Sequence, residues 1–229
     1  LKITLLGEHQ RINASAAVLA ALTISDRWQK ITEESIREGL LHAKWPGRLE
    51  LISRKPYSLL DGAHNPNGIR MLAENLRLYF PGKKIRFVFG VLADKDYESM
   101  IGDLVSCAEC FYTVTPDSER ALDAERLAEK IRRAGVAAAG CASIEEAFEK
   151  ALKSGREACK KPQECSDETE ERVRDCLDEM PAKASKFKND PTLNPTGRGE
   201  EEVICACGSL DFIGGARTFL MKNRDESNG

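Results

Sequence analysis

The densest concentration of reactive side chains lies in Tyr57-Ser58-Leu59-Leu60-Asp61-Gly62-Ala63-His64-Asn65-Pro66-Asn67-Gly68, where an apolar run passes into polar residues and then into a helix start. Asn65 followed by Pro66 is N-cap and first-turn chemistry, so the stretch reads as strand, turn and helix. At the carboxyl edge of a doubly wound sheet such a turn is where ligands sit, facing free N–H groups and the helix dipole. An ionised Asp61 accepts hydrogen bonds without donating, which suits the paired hydroxyls of a ribose at about 1.5 to 3 kcal/mol per charge-assisted bond. The competing reading has Asp61 capping its own turn and His64 satisfying a backbone carbonyl, and spacing alone leaves both open. Cys107 and Cys110 form a lone C-x-x-C with no second pair or nearby histidine, which disfavours a zinc or redox site. Cys205 and Cys207 alternate within an apolar run as buried strand residues do.

The elements that must position these residues change character along the chain. Ile12 to Ile24 is Ala- and Leu-rich, a helix apolar on nearly every side that is expected to pack between other elements. A second helix follows Thr32 and stops before Trp45-Pro46-Gly47, which breaks regular structure and marks a domain boundary. Beyond it, short apolar runs alternate with amphipathic helices, the pattern of a mostly parallel sheet with helices on both faces. The expected strands are Leu49–Ser53, Tyr57–Leu60, Ile85–Phe89, Phe111–Thr115, Val136–Ala139 and Val203–Cys207. The first two pair through the Arg54-Lys55-Pro56 turn and make the sheet mixed. Asp123 and Ser143, the latter with Glu146 in a capping box, start further helices. Gly155 to Glu202 is much longer than the usual connection of about 2 to 6 residues and reads as a polar insertion, with a charged helix over Asp167–Met180.

Composition bounds the function. The 229 residues suffice for one large domain or two small ones without disulfide staples, and a net charge of -3 disfavours a nonspecific nucleic-acid binder. No apolar run approaches the roughly 20 residues needed to cross a bilayer, and Leu1 opens without a signal peptide, so the chain is expected to be soluble and cytoplasmic. The eight cysteines lack the spacing of a disulfide scaffold.

Five segments in order carry a resemblance: Gly7-Glu8-His9-Gln10 with Asn13-Ala14, Trp45-Pro46-Gly47-Arg48-Leu49-Glu50, Leu60-Asp61-Gly62-Ala63-His64-Asn65-Pro66, Gly90-Val91-Leu92-Ala93-Asp94-Lys95-Asp96, and Cys207-Gly208-Ser209-Leu210. Together they resemble folylpolyglutamate synthase/dihydrofolate synthase of the Mur ligase family over nearly the whole chain except the insertion. The resemblance implies a Rossmann-like Mur ligase C-terminal domain over residues 46–229, preceded in residues 1–45 by the helical tail of the central ATPase domain. It implies transfer of the terminal phosphoryl of ATP to a folate or dihydropteroate carboxylate. The amine of L-glutamate then attacks the acyl phosphate, giving an amide and free phosphate. By resemblance Asn13 meets the adenine edge, Arg48 the phosphates and Asp61 the ribose, with His64 beside it; Arg48 and His64 are the catalytic candidates. Ser209, with His64 and Lys95, would hold the incoming glutamate.

Each of these residues has an unspecialised alternative. Arg48 pairs with a surface carboxylate in one, Asn13 bonds its own backbone, and Lys95 is a salt-bridged loop lysine. Arg120 fits a family pattern without an assigned role, and Asp211 stands where the family usually has an aromatic. The chain contains no G-x-x-x-x-G-K-[ST], so the phosphate-cradling loop and the Mg²⁺ ligands are expected in an amino-terminal ATPase domain, this chain's partner, and no metal ligand is assigned here. The chain is therefore expected to be a carboxyl-terminal part, inactive alone. A stand-alone nucleotide- or anion-binding module that docks a protein through the insertion is the alternative. A NAD-dependent oxidoreductase is disfavoured because no G-x-G-x-x-G follows the first strand.

Overall fold

The structure is a computed structural model that describes residues 1–153 and 202–226. The insertion expected at 155–202, its charged helix, and Cys159, Cys165 and Cys176 lie outside the described residues, Glu202 excepted. Two helices, α1 (Glu8–Ser25) and α2 (Glu33–His42), precede the sheet. The remaining elements run β1 (Glu50–Arg54), β2 (Tyr57–Leu60), α3 (Pro66–Tyr79), β3 (Ile85–Phe89), α4 (Tyr97–Val105), β4 (Ala108–Thr113), α5 (Ala124–Arg133), β5 (Ala138–Gly140), α6 (Ile144–Leu152), β6 (Val203–Cys207) and α7 (Leu210–Glu226).

The six strands lie in the order β1-β2-β6-β3-β4-β5. β1 pairs antiparallel with β2, and every other pair is parallel. The mixed sheet and the hairpin are as expected from the sequence, because Glu50 to Arg54 and Tyr57 to Leu60 are joined by too few residues for a crossover. Alternation along the strands sends Leu59, Phe87, Phe89, Phe111, Cys205 and Cys207 to the face covered by α3, α4 and α5. Leu60, Val88, Cys110, Tyr112, Ile204 and Ala206 go to the face covered by α6 and α7. Helices on both faces leave β2, β3 and β6 buried throughout, which is why they read as continuous apolar runs.

Local chemistry starts the helices where the sequence placed them. Asn65, Asp123 and Ser143 each accept a hydrogen bond from the N–H three residues on. Glu146 departs slightly from a capping box, since its carboxylate accepts from the N–H of Ala142, 2.7 Å away. β4 begins earlier than expected, at Ala108, and β5 begins later, at Ala138, where Gly135 turns at a φ of 86° and Val136 still bonds back to Ile131.

α1 differs from its expectation. Ile12, Leu19, Leu22 and Ile24 are exposed, with Ile12 at 70%, and Gln10 is the one buried residue of the helix. Its amino end is held instead by α3, where the Gly7 N–H donates to the Tyr79 hydroxyl (2.9 Å) and the Glu8 N–H to Asn75 Oδ1 (3.3 Å). These bonds satisfy helix-terminal donors that Gly7 has no side chain to cap, and they hang the first turn of α1 over the α/β layer.

At the opposite, amino edge of the sheet, Arg86 of β3 is buried and donates to Glu109 (3.2 Å), Glu202 (2.8 Å) and the Ala151 carbonyl (3.0 Å). One guanidinium thereby ties the last turn of α6 to the residue that leads into β6. Arg86→Met is expected to destabilise the chain by about 2 kcal/mol, because it leaves the Ala151 carbonyl unpaired and two carboxylates facing each other, both with access to solvent. Denaturant unfolding checks this, and an unchanged midpoint would contradict it.

Candidate functional site

β2 and β6 are neighbours, yet β2 continues into α3 on one face and β6 into α7 on the other. Their carboxyl ends therefore open a crevice at a topological switch point. Asp61 emerges there from β2, and the Gly208 N–H from β6 donates to the Ala63 carbonyl at 2.9 Å.

Asp61 is buried and anchored by the sheet, its own N–H donating to the Ala206 carbonyl. Its Oδ1 accepts from the Ala63 N–H (2.8 Å) and its Oδ2 from the Leu49 N–H (2.7 Å). Burial pushes its carboxyl above the usual range, while those two N–H groups and the charges of Arg48 and His9 pull it back. The turn-capping reading is thus realised, and Asp61 still lines a cavity with lone pairs to spare. That cavity, about 290 Å³, is formed by His9 and Asn13 of α1, Arg48 of the linker, Asp61, and Asn65 and Gly68 at the start of α3, among others.

Arg48 is exposed and makes no ion pair with a described residue. It also borders a second cavity of about 370 Å³, which shares His9, Asn13 and Arg48 with the first and continues along Ile3, Ala17, Leu40 and Trp45. Asn13 stands at the junction of the polar and apolar spaces, its side-chain amide donating to Gln10 Oε1 at 3.2 Å. Asn13, Arg48 and Asp61, chosen from motifs far apart in sequence, are therefore brought together.

His64, Ser209 and Lys95 do not line that cavity. The His64 Nδ1 lies 2.8 Å from the Gly62 carbonyl, as in its unspecialised reading. The Ser209 hydroxyl is buried, donates to Asp211 Oδ2 (3.2 Å) and accepts from the Asp211 N–H (3.1 Å). The aspartate that departs from the family pattern thus engages the serine itself. Lys95 is half-buried in a turn, and its neighbour Asp94 pairs with Arg120 at 3.0 Å, which joins two motif segments. The His9 Nδ1 is buried beside the cavity without a hydrogen-bond partner among the described residues. Asn75, which also lines the cavity, escaped notice because one buried amide in an amphipathic helix has no sequence signature.

The described cysteines are packing residues. Cys107 faces the α3–α5 layer and Cys110 the α6–α7 layer, so the C-x-x-C pair points to opposite sides of the sheet. Burial raises the Cys107 and Cys141 thiols, the latter to about 11, and Cys205 is raised by the neighbouring Cys207 as well as by burial. At pH 8 Cys141 is then on the order of 0.1% thiolate. Iodoacetamide at that pH is expected to spare Cys107, Cys110, Cys141, Cys205 and Cys207 until denaturant is added. Peptide mass mapping checks this, and carboxamidomethylation of any of the five in the folded chain would contradict it.

No group of three or more His, Cys, Asp or Glu side chains that could hold a metal ion occurs among the described residues. None of the helices described is long and apolar enough to cross a membrane.

Strand order, the crevice at the switch point and helices on both faces define a doubly wound α/β domain. Residues 47–158 match the family model described as Mur ligase, glutamate ligase domain. Over these residues the chain is similar to the glutamate ligase domain of Mur ligases. The dihydrofolate synthase/folylpolyglutamate synthase of Bacillus subtilis is 40% identical over 122 residues, 53% of this chain and 28% of that protein. The folylpolyglutamate synthase of Mycobacterium tuberculosis, solved with ADP and AMPPCP, superposes with a TM-score of 0.64 at 25% identity over 95% of this chain and 41% of that one. An Escherichia coli protein solved with DHPP and ADP shares the fold, with a TM-score of 0.67 at 22% identity over 98% of this chain and 41% of that one. The chain thus spans less than half the length of these relatives.

Proposed function

We propose that this chain is the carboxyl-terminal part of an ATP-dependent ligase that adds L-glutamate to a folate or dihydropteroate carboxylate, and that residues 1–45 are the tail of its central ATPase domain. The observation that carries the proposal is the shared cavity of Asn13, Arg48 and Asp61 at the carboxyl edge of the sheet. Asn13 offers an amide to the edge of an adenine lying in the apolar extension beside Trp45. Asp61 accepts from ribose hydroxyls, and Arg48, exposed beside it, brings a guanidinium fork to phosphate oxygens.

Bound ATP would supply a phosphoryl group that converts the carboxylate into an acyl phosphate, and attack by the glutamate amine would release phosphate. Ser209, His64 and Lys95 are assigned to the glutamate side, apart from the nucleotide cavity. Arg48 offsets phosphate charge as domains close, which places it at the catalytic centre only in the assembled enzyme. Mg²⁺ finds no ligand set among the described residues, and no step is routed through it here. The apolar side of α1, with Ile12, Leu19 and Leu22 exposed, suits contact with the rest of the ATPase domain.

The experiment is to co-express the chain with the amino-terminal part of a folylpolyglutamate synthase and follow ADP release. Release that requires folate and glutamate in the mixture, with none from the chain alone, is the expected result. Turnover by the chain alone, or a stable mixed complex without turnover, contradicts the proposal.

A further inference from the structure

Among the described residues the Arg48 side chain has no hydrogen-bond or ion-pair partner to aim it, so the backbone that carries it sets its direction. That backbone is unusual: Gly47 has a φ of 70° and Leu49 a φ of 43°, so Arg48 sits between two left-handed residues. A non-glycine residue in that region persists only where its surroundings hold it. Leu49 is tied by Asp61 through its N–H, and the Gly47 carbonyl accepts from the Gly62 N–H at 2.6 Å. The Gly47 N–H donates to Glu50 Oε2 at 2.8 Å.

Glu50 is itself aimed from the far side of the sheet. Arg217 of α7 grips its carboxylate with Nε 3.0 Å from Oε1 and 3.1 Å from Oε2, and Nη2 3.0 Å from Oε1. Glu50 and Arg217 do not line the cavity that holds Asn13 and Asp61. With side chains 21% and 38% exposed, this ion pair contributes little to folding by itself, although its geometry is the forked kind that fixes orientation.

We infer that Glu50 and Arg217 are positioning residues for Arg48, the chain Arg217–Glu50–Gly47 setting the turn from which the guanidinium reaches nucleotide phosphate. The inference rests on the nucleotide reading above and adds a device on α7 that acts through Arg48. Glu50→Ala removes the acceptor for the Gly47 N–H. Glu50→Gln keeps an acceptor oxygen and weakens the grip of Arg217. Arg217→Gln changes a partly exposed helix position and leaves the fold least disturbed.

The test is calorimetric titration of the whole chain with ADP, with circular dichroism reporting the fold of each variant. Glu50→Ala is expected to weaken binding about tenfold and Arg217→Gln about threefold, with Glu50→Gln between the unmutated chain and Glu50→Ala. In an Arg48→Ala background, Glu50→Ala is expected to have no further effect, a coupling that a role in folding alone does not produce. Unchanged affinity in both Glu50→Ala and Arg217→Gln, or an equal loss with and without Arg48, overturns the inference while Arg48-dependent binding leaves the nucleotide reading standing. Absence of ADP binding by the unmutated chain overturns both.

Discussion

Replacing Arg48 with alanine is expected to weaken ADP or ATP binding by about 10- to 100-fold while leaving the melting temperature nearly unchanged. The size follows from one charge-assisted contact to phosphate, about 1.5 to 3 kcal/mol, at about 1.4 kcal/mol per tenfold change in affinity. Stability is largely spared because Arg48 is exposed and forms no ion pair with a described residue, and the buried Asp61 carboxylate keeps its bonds from the Ala63 and Leu49 N–H groups. Arg48→Lys keeps the charge but loses the fork, and is expected to recover only part of the affinity. In the assembled ligase the loss falls on turnover as well, because the same guanidinium offsets charge on the transferring phosphoryl group. Calorimetric titration of the three proteins measures this. Equal affinity in all of them would remove Arg48 from the site.

Gly208→Ala is expected to produce the largest loss of stability, at least about 3 kcal/mol, or roughly 6 to 12 °C in melting temperature. Gly208 has a φ of 114°, and a Cβ there would lie 2.4 Å from the Gly90 carbonyl oxygen and 2.8 Å from the Phe89 ring. Neither neighbour can yield cheaply, since one is backbone and the other a fully buried side chain of β3. The same residue donates its N–H to the Ala63 carbonyl, so the shift reaches the turn that holds Asp61. A thermal melt followed by circular dichroism measures the effect. An unchanged melting temperature would mean that β3 and β6 do not approach as closely as described.

Much of this site was legible because its parts are local. Asn65 caps α3 as its type and the following Pro66 dictate, and β2, β3 and β6 fall on the expected residues because buried parallel strands leave uninterrupted apolar runs. The runs do not say which residue faces which layer, so the opposite orientations of Cys107 and Cys110 emerge only with the fold. Asp61 shows why spacing left two readings open: one carboxylate both caps its turn and borders the cavity. Glu50 and Arg217 are 167 residues apart, and no periodicity signals such a pair. The apolar surface of α1 was legible as apolar, but the described residues leave much of it uncovered.

That Asn13, Arg48 and Asp61 form one nucleotide site is tested most directly by amide shift mapping of the chain titrated with ADP. Shifts are predicted for Asn13, Leu49, Asp61, Ala63 and Gly68, saturating together with a single affinity. No shift at high nucleotide, or shifts confined to the opposite edge of the sheet around Arg86, would contradict the assignment.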